Sequence, residues 1–258
     1  MSKFTLLIAL LLIGAPAWGQ APDPRAESVV DEADRRLSGY GDFTATMTMT
    51  LRQSDGSERV REMHILGLEV PEDGDKTLVV FDLPRDLQGT SILTVTHPDS
   101  PSDQWLYLPA LRRTRRIATS NRSSSFMGSE FTFEDIGSQD LRQYRYRYLR
   151  EETLDGTASY VLERFPIEEG SAYARQVLWW DTGEYRLLRV DYYDREDAHV
   201  KSLRLYGYQQ YEGGQWRPDR MVMNELTSGK STTLEWSEYA FATGLSDRDF
   251  DPRRLGRR

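Results

Sequence analysis

Cysteine is absent from all 258 residues. No disulfide or thiolate metal site is therefore available, and the fold must rest on its core alone. Histidine is nearly absent. His64, His97 and His199 stand far apart, none with a second histidine at metal-ligand spacing, which argues against a zinc or facial-triad site. There is no Gly-x-Ser-x-Gly elbow for a serine nucleophile and no glycine loop to cradle phosphate. Carboxylate pairs such as Asp191/Asp194 and Glu134/Asp135 could act as acid and base, but acidic residues are abundant and solvated pairs are the simpler reading. The acidic run Asp191–Asp197 lacks the ligand rhythm of a calcium loop. Positive charge is short in bulk, with a formal net charge of −8, so a nucleic-acid partner is disfavoured. The expectation is a binding protein with no catalytic residues, cofactor or metal.

Long apolar runs are missing too. Phe4–Ile13 follows a single basic residue, Lys3, and is broken by Gly14, Ala15 and Pro16; it is short of the ~20 residues a membrane helix needs. Small residues flank Trp18 at Ala17 and Gly19, as a signal peptidase requires. Residues 1–19 are therefore expected to be a cleaved export signal, leaving one domain over 20–258. No cysteine follows for acylation, so the mature chain is expected to be soluble, exported and unlipidated, with at most transient membrane contact.

What is present is largely period-two alternation. One helix is expected first, over Arg25–Leu37, where Ala26, Val29, Val30, Ala33 and Leu37 recur at helical steps before Gly39 and Gly41. In Phe43–Leu51, Phe43, Ala45, Met47, Met49 and Leu51 share one face and four threonines share the other. Strands are then expected over 59–70, 76–83, 91–96 and 104–108. After an irregular stretch, 117–140, with one or two short helices near Ser129–Ile136, strands resume over 144–152, 159–165, 174–180, 184–193, 200–209, 217–226 and 232–239. Roughly ten or eleven strands at 8–12-residue spacing mark an antiparallel sandwich or barrel. Each alternating strand buries one face, so a single curved sheet needs a cover. The N-terminal helix and the 117–140 stretch are the available ones.

Methionines Met47, Met49, Met63, Met221 and Met223 lie on strands with Trp105, Trp179, Trp180, Trp216 and Trp236. Ordinary core is the plain reading of any one of them. Together they also suit a concave face for a flexible acyl chain, since methionine adapts to irregular partners. In Tyr144–Tyr148 tyrosine and arginine alternate, placing tyrosine toward the core and arginine toward solvent. The densest charge is Arg112, Arg113, Arg115 and Arg116, followed by Arg122. Guanidinium forks clamp carboxylate or phosphate. A solvated strand balanced by Glu130, Glu134, Asp135 and Asp140 accounts for the charge equally well.

Three stretches resemble a known family. They are Trp105-Leu106-Tyr107-Leu108-Pro109-Ala110, the Arg-x-Arg-Arg-Ile at 113–117, and Ser125-Phe126-Met127-Gly128-Ser129-Glu130-Phe131 running through Glu134-Asp135-Ile136. They are similar to LolA-like outer-membrane lipoprotein-sorting proteins, of the branch found beside RND-type (MMPL-like) inner-membrane transporters. Where that family more often has Ser-Asp-Phe-x-Tyr-Glu-Asp, residues 129–135 read Ser-Glu-Phe-Thr-Phe-Glu-Asp, keeping the chemical character. The resemblance implies a mainly β fold: a strongly curved antiparallel sheet forming an incomplete, half-open barrel, with an N-terminal helix and short helices as its lid. It implies a periplasmic carrier of lipid or lipoprotein acyl chains working with an RND-type transporter. A lipid-sensing module that regulates a signalling partner is the alternative. On that picture Tyr107, Pro109, Phe126, Met127, Gly128, Phe131, Glu134 and Asp135 belong to the lid, and Arg112, Arg113, Arg115, Arg116 and Arg122 form a rim for head group or partner. Met47, Met49, Met63, Trp105, Trp179, Met221 and Met223 line the cavity.

Overall fold

A computed structural model describes residues 22–256 apart from 72, 99, 138 and 139. The expected export signal lies outside the described residues. The one α-helix among the described residues, α1 (Pro24–Leu37), starts where the sequence provides a start. Pro24 occupies the first turn, and the Asp23 carboxylate accepts from the backbone N–H groups of Arg25 and Ala26. Its other oxygen accepts from the Tyr148 N–H at 2.8 Å, tying the helix start to the sheet. Ala26, Val29, Val30 and Ala33 are buried, the stripe that the spacing predicts.

Fifteen strands follow: β1 (Asp42–Arg52), β2 (Glu58–Leu68), β3 (Lys76–Leu83), β4 (Ser91–Val95), β5 (Asp103–Leu108), β6 (Arg113–Arg116), β7 (Tyr144–Leu154), β8 (Thr157–Pro166), β9 (Arg175–Asp181), β10 (Leu187–Tyr193), β11 (His199–Tyr206), β12 (Gln209–Gln210), β13 (Trp216–Arg217), β14 (Arg220–Glu225) and β15 (Ser231–Phe241). Thirteen form one antiparallel sheet in the order β6-β5-β4-β3-β2-β1-β15-β14-β11-β10-β9-β8-β7, and β12 and β13 form a separate ribbon. Register shifts interrupt five of the pairings, among them β1/β15 and β7/β8. Such bulges bend and twist a sheet, and this one curves without closing into a barrel.

Two expected strands are each divided. The stretch 200–209 breaks at Gly207, whose φ is +63° and where an added Cβ would meet the Asp219 carboxylate at 1.8 Å. The stretch 217–226 breaks at Pro218, which has no N–H to give a ladder. The fragments pair as the β12–β13 ribbon, which turns in at one end of the sheet.

Topology dictates the cover. β6 and β7 follow one another in sequence yet form opposite edges of the sheet. The strap between them, 117–143, therefore has to cross the open face. Beneath it and α1 lies the main core, including Met49, Met63, Phe81, Leu178 and Met223, with Phe126 entering it from the strap. On the outer face, Leu245, Phe250 and Leu255 of the C-terminal segment cover Leu66, Leu78 and Leu93. A second outer cluster, Val161, Val177 and Trp179, is sheltered by charged side chains. The Arg189 guanidinium lies 4.7 Å above the Trp179 ring, and Glu152 accepts its indole N–H.

Candidate functional site

The strap has little regular structure, so its shape comes from side-chain hydrogen bonds. The Phe126 N–H donates to the Phe131 carbonyl at 2.7 Å, and the Ser129 hydroxyl donates to the Phe126 carbonyl at 2.7 Å. The turn between passes through Met127 at φ +52° and Gly128 at φ +78°. A Cβ on Gly128 would meet nothing, so only the backbone angle asks for glycine there. Phe126, fully buried, stacks on Phe81 at 6.1 Å and meets Phe133 edge-on at 5.5 Å.

The two strap carboxylates serve as anchors. Asp135 accepts from the Thr132 N–H and hydroxyl and from the Tyr173 hydroxyl, each at 2.8 Å. Glu134 accepts from the Ser171 hydroxyl at 2.7 Å and the Ala172 N–H at 2.9 Å. Burial pushes the Glu134 carboxyl above its ordinary range, and those hydrogen bonds oppose the rise. From the sheet side, the buried Gln104 of β5 donates to the Phe133 carbonyl at 2.7 Å.

Strap, helix and sheet enclose a cavity of about 660 Å3. Its floor is apolar, with Met47, Ile65, Val79, Val190, Leu203 and Leu234 among the lining residues, and Phe131 and Ile136 reach it from the strap. Its mouth lies where the end of α1, the β2–β3 loop, the β9–β10 turn and the β12–β13 ribbon converge. Aromatic rings crowd this end: Phe43 meets Tyr40 at 5.7 Å and Tyr239 at 6.0 Å, and Tyr239 stacks on Trp236 at 6.0 Å.

Arginines line this cavity, though none of the five expected at its rim. Arg36 is ion-paired with Glu32 and Glu184, Arg142 with Asp140, and Arg186 with Asp181. Arg164, 2% exposed, donates to Gln176 at 2.7 Å and lies 3.9 Å over the Tyr144 ring. Arg217 completes the set. The expected rim is elsewhere. Arg112 takes a left-handed turn after Pro109–Leu111, and Arg113, Arg115 and Arg116 form the exposed edge strand β6, with Arg116 paired to Asp103. Arg122 is buried and bonded to Glu168 at 2.7 Å.

The remaining candidates divide by position along a strand for the methionines and by strand parity for the tryptophans. Met47 and Met221 line the cavity, whereas Met49, Met63 and Met223 are fully buried in the core around it. Trp105 and Trp179 face outward, because Gln104 and Leu106 on β5, and Leu178 and Trp180 on β9, take the inner face. Tyr107 packs outward against Gly256, and Pro109 touches Gly89. The alternating tyrosines of β7 do turn inward, with Tyr146 donating to the Leu141 carbonyl at 2.9 Å, while Arg145 and Arg147 are exposed. Sequence reading did not single out Tyr40, Arg186, Tyr208 or Arg217. The aromatic density flanking Arg217 was the available signal.

The fold and cavity have known counterparts. A family model described only as an uncharacterized protein family matches residues 73–257. A domain from Vibrio parahaemolyticus, described as that of an outer membrane lipoprotein-sorting protein, is 42% identical. The match covers 90% of this chain and 98% of that one, with a TM-score of 0.88. A DUF1329 family protein from Desulfovibrio piger is 31% identical over 89% of this chain and 98% of its own, with a TM-score of 0.81. A LolA superfamily protein from Nitrosomonas europaea shares the fold at 22% identity and a TM-score of 0.71, over 88% of this chain and 97% of its own. No curated protein matches. In sequence this chain belongs to the family of the outer-membrane lipoprotein-sorting protein domain, and its fold is LolA-like.

Proposed function

We propose that the protein is a periplasmic carrier that holds lipid, or the acyl chains of a lipoprotein, in the cavity between sheet, helix and strap. The observation that carries this reading is the cavity itself, apolar below, aromatic and charged at one end, and about 660 Å3 in volume. At roughly 30 Å3 per water-sized group, that space takes at least about twenty heavy atoms, the scale of one acyl chain. Each methylene hidden from water contributes about 0.8 kcal/mol, so a chain needs an escort across an aqueous gap. Among the described residues no helix is long and apolar enough to cross a membrane.

The β6 edge lies away from the cavity and presents Arg113 and Arg115 to solvent beside the exposed Leu111. It suits the acidic surface of a partner, and an RND-type inner-membrane transporter is the partner we assign to it. The same exposed edge also favours a second reading, a lipid-sensing module that contacts a regulatory protein. Mass spectrometry of an organic extract of the exported protein, purified from its native host, tests the carrier. An acylated species at near-stoichiometric amount is expected. A ligand-free protein that also fails to bind fluorescent fatty acid would overturn the reading, and capture of a regulator instead of a transporter would favour the second.

A further inference from the structure

Five arginines line the cavity, and four of them have evident local partners. Arg36, Arg142 and Arg186 sit in ion pairs, and Arg164 is sealed between Gln176 and Tyr144. Arg217 is different. Its Nη1 donates to the Trp216 carbonyl at 3.0 Å, and the nearest carboxylate influence among the described residues, that of Glu69, reaches it through the field and not through an ion pair. A guanidinium has five N–H donors, so most of this one's capacity is unspent. It is half-buried among rings, 5.4 Å from the Tyr40 centroid and 6.0 Å from that of Phe241. That enclosure disfavours its charge and lowers its affinity for the proton.

Two of the acidic groups lining this end, Glu69 and Asp75, are engaged by other donors. Glu69 accepts the Gly39 and Gly41 N–H groups at 2.6 and 2.9 Å, and Asp75 accepts from the Tyr40 hydroxyl at 2.8 Å. An unpaired, partly desolvated cation at the edge of an apolar cavity is stabilised by an anion that arrives with its own apolar tail. The floor beside it runs through Met221, Leu234 and Val190.

We propose that Arg217 is the anion anchor of the cavity, taking the carboxylate or phosphate head of a single-chain amphiphile whose tail lies on that floor. This rests on the carrier reading and adds the charge and placement of the head. The full exported protein is loaded with the neutral probe N-phenyl-1-naphthylamine, then challenged with palmitate, hexadecyl phosphate, hexadecanol and inorganic phosphate. Palmitate or hexadecyl phosphate is expected to displace the probe about tenfold more strongly than hexadecanol, the scale of one charge-assisted hydrogen-bonded contact. The stronger of the two names the head. Arg217→Gln should erase that preference while leaving hexadecanol unaffected, and Arg217→Lys should keep part of it, with melting temperatures showing that both fold.

Equal competition by acid and alcohol against the native protein would overturn the anchor and leave the carrier standing. So would a full preference surviving in Arg217→Gln. Displacement by inorganic phosphate as strong as by hexadecyl phosphate would also overturn it, marking a free-anion site. Failure of every amphiphile, hexadecanol included, to displace the probe would defeat the carrier reading itself. Should Arg217→Gln fail to fold, the native competition series and Arg217→Lys still decide.

Discussion

At the β6 edge, Arg113, Arg115 and Arg116 stand in one short exposed strand, and at the cavity mouth Arg217 stands among aromatic rings outside any ion pair. The edge has the charge density and the mouth has the desolvation. Exposed guanidiniums keep their water and interact through a screened field, so they are worth little individually and act together on encounter with a partner. A guanidinium half-removed from water acts at close range on whatever shares its pocket. The edge is thus suited to steering and docking, and the mouth to selecting a cargo.

Stability separates the two settings most strongly. Arg164→Met, deep beside the cavity, strands the buried Gln176 oxygen that it now satisfies. We expect a loss of about 1–3 kcal/mol in urea unfolding, against less than about 0.5 kcal/mol for Arg113→Ala on the edge. Equal losses would dissolve the contrast. Next in size is cargo affinity. Met221→Trp, which fills the cavity, should weaken fluorescent fatty-acid binding at least about tenfold, or ~1.4 kcal/mol, without unfolding the chain; unchanged affinity would place the cargo elsewhere.

Reversing the edge, with Arg113, Arg115 and Arg116 all changed to Glu, should do the opposite. Transporter binding should fall about tenfold and lose its salt dependence, with fatty-acid affinity and melting temperature unaltered. A drop in cargo affinity would make the edge part of the cavity after all.

The smallest effect concerns the helix that walls the cavity. The Asp23 carboxyl is held below its ordinary value of 3.8, chiefly by the Tyr148 N–H. A depressed carboxylate lends stability above its unfolded pKa and loses it as pH falls through the folded one. Native protein should therefore lose melting temperature as pH falls below the ordinary aspartate value of 3.8 by slightly more than Asp23→Asn does, and identical slopes would refute the link.

Strand positions were legible because alternation is local: β3 falls on Lys76–Leu83 as expected, and α1 differs from its expected span by one residue. The need for a cover was legible too, since one-faced strands cannot be left bare. The strap was harder to read. Phe126, Phe131 and Ile136 fit neither the strand nor the helix period, because turns and side-chain bonds aim them. The arginines of the cavity were hidden for a related reason. Adjacency along the chain is conspicuous in Arg112–Arg116, while Arg217 draws its character from Tyr40 and Phe241, far off in sequence.

By itself, then, the sequence determined a cysteine-free, mainly antiparallel chain of this family that opens on a helix, because those properties follow from composition, period and motif. Tertiary structure alone decided which charges matter where. By setting β6 and β7 at opposite edges, it sent the strap across the open face. By bringing α1, the β2–β3 loop and the β12–β13 ribbon to one end, it set a single unpaired guanidinium at the mouth. Desolvation depends on what surrounds a group in space, and no spacing along a chain records that.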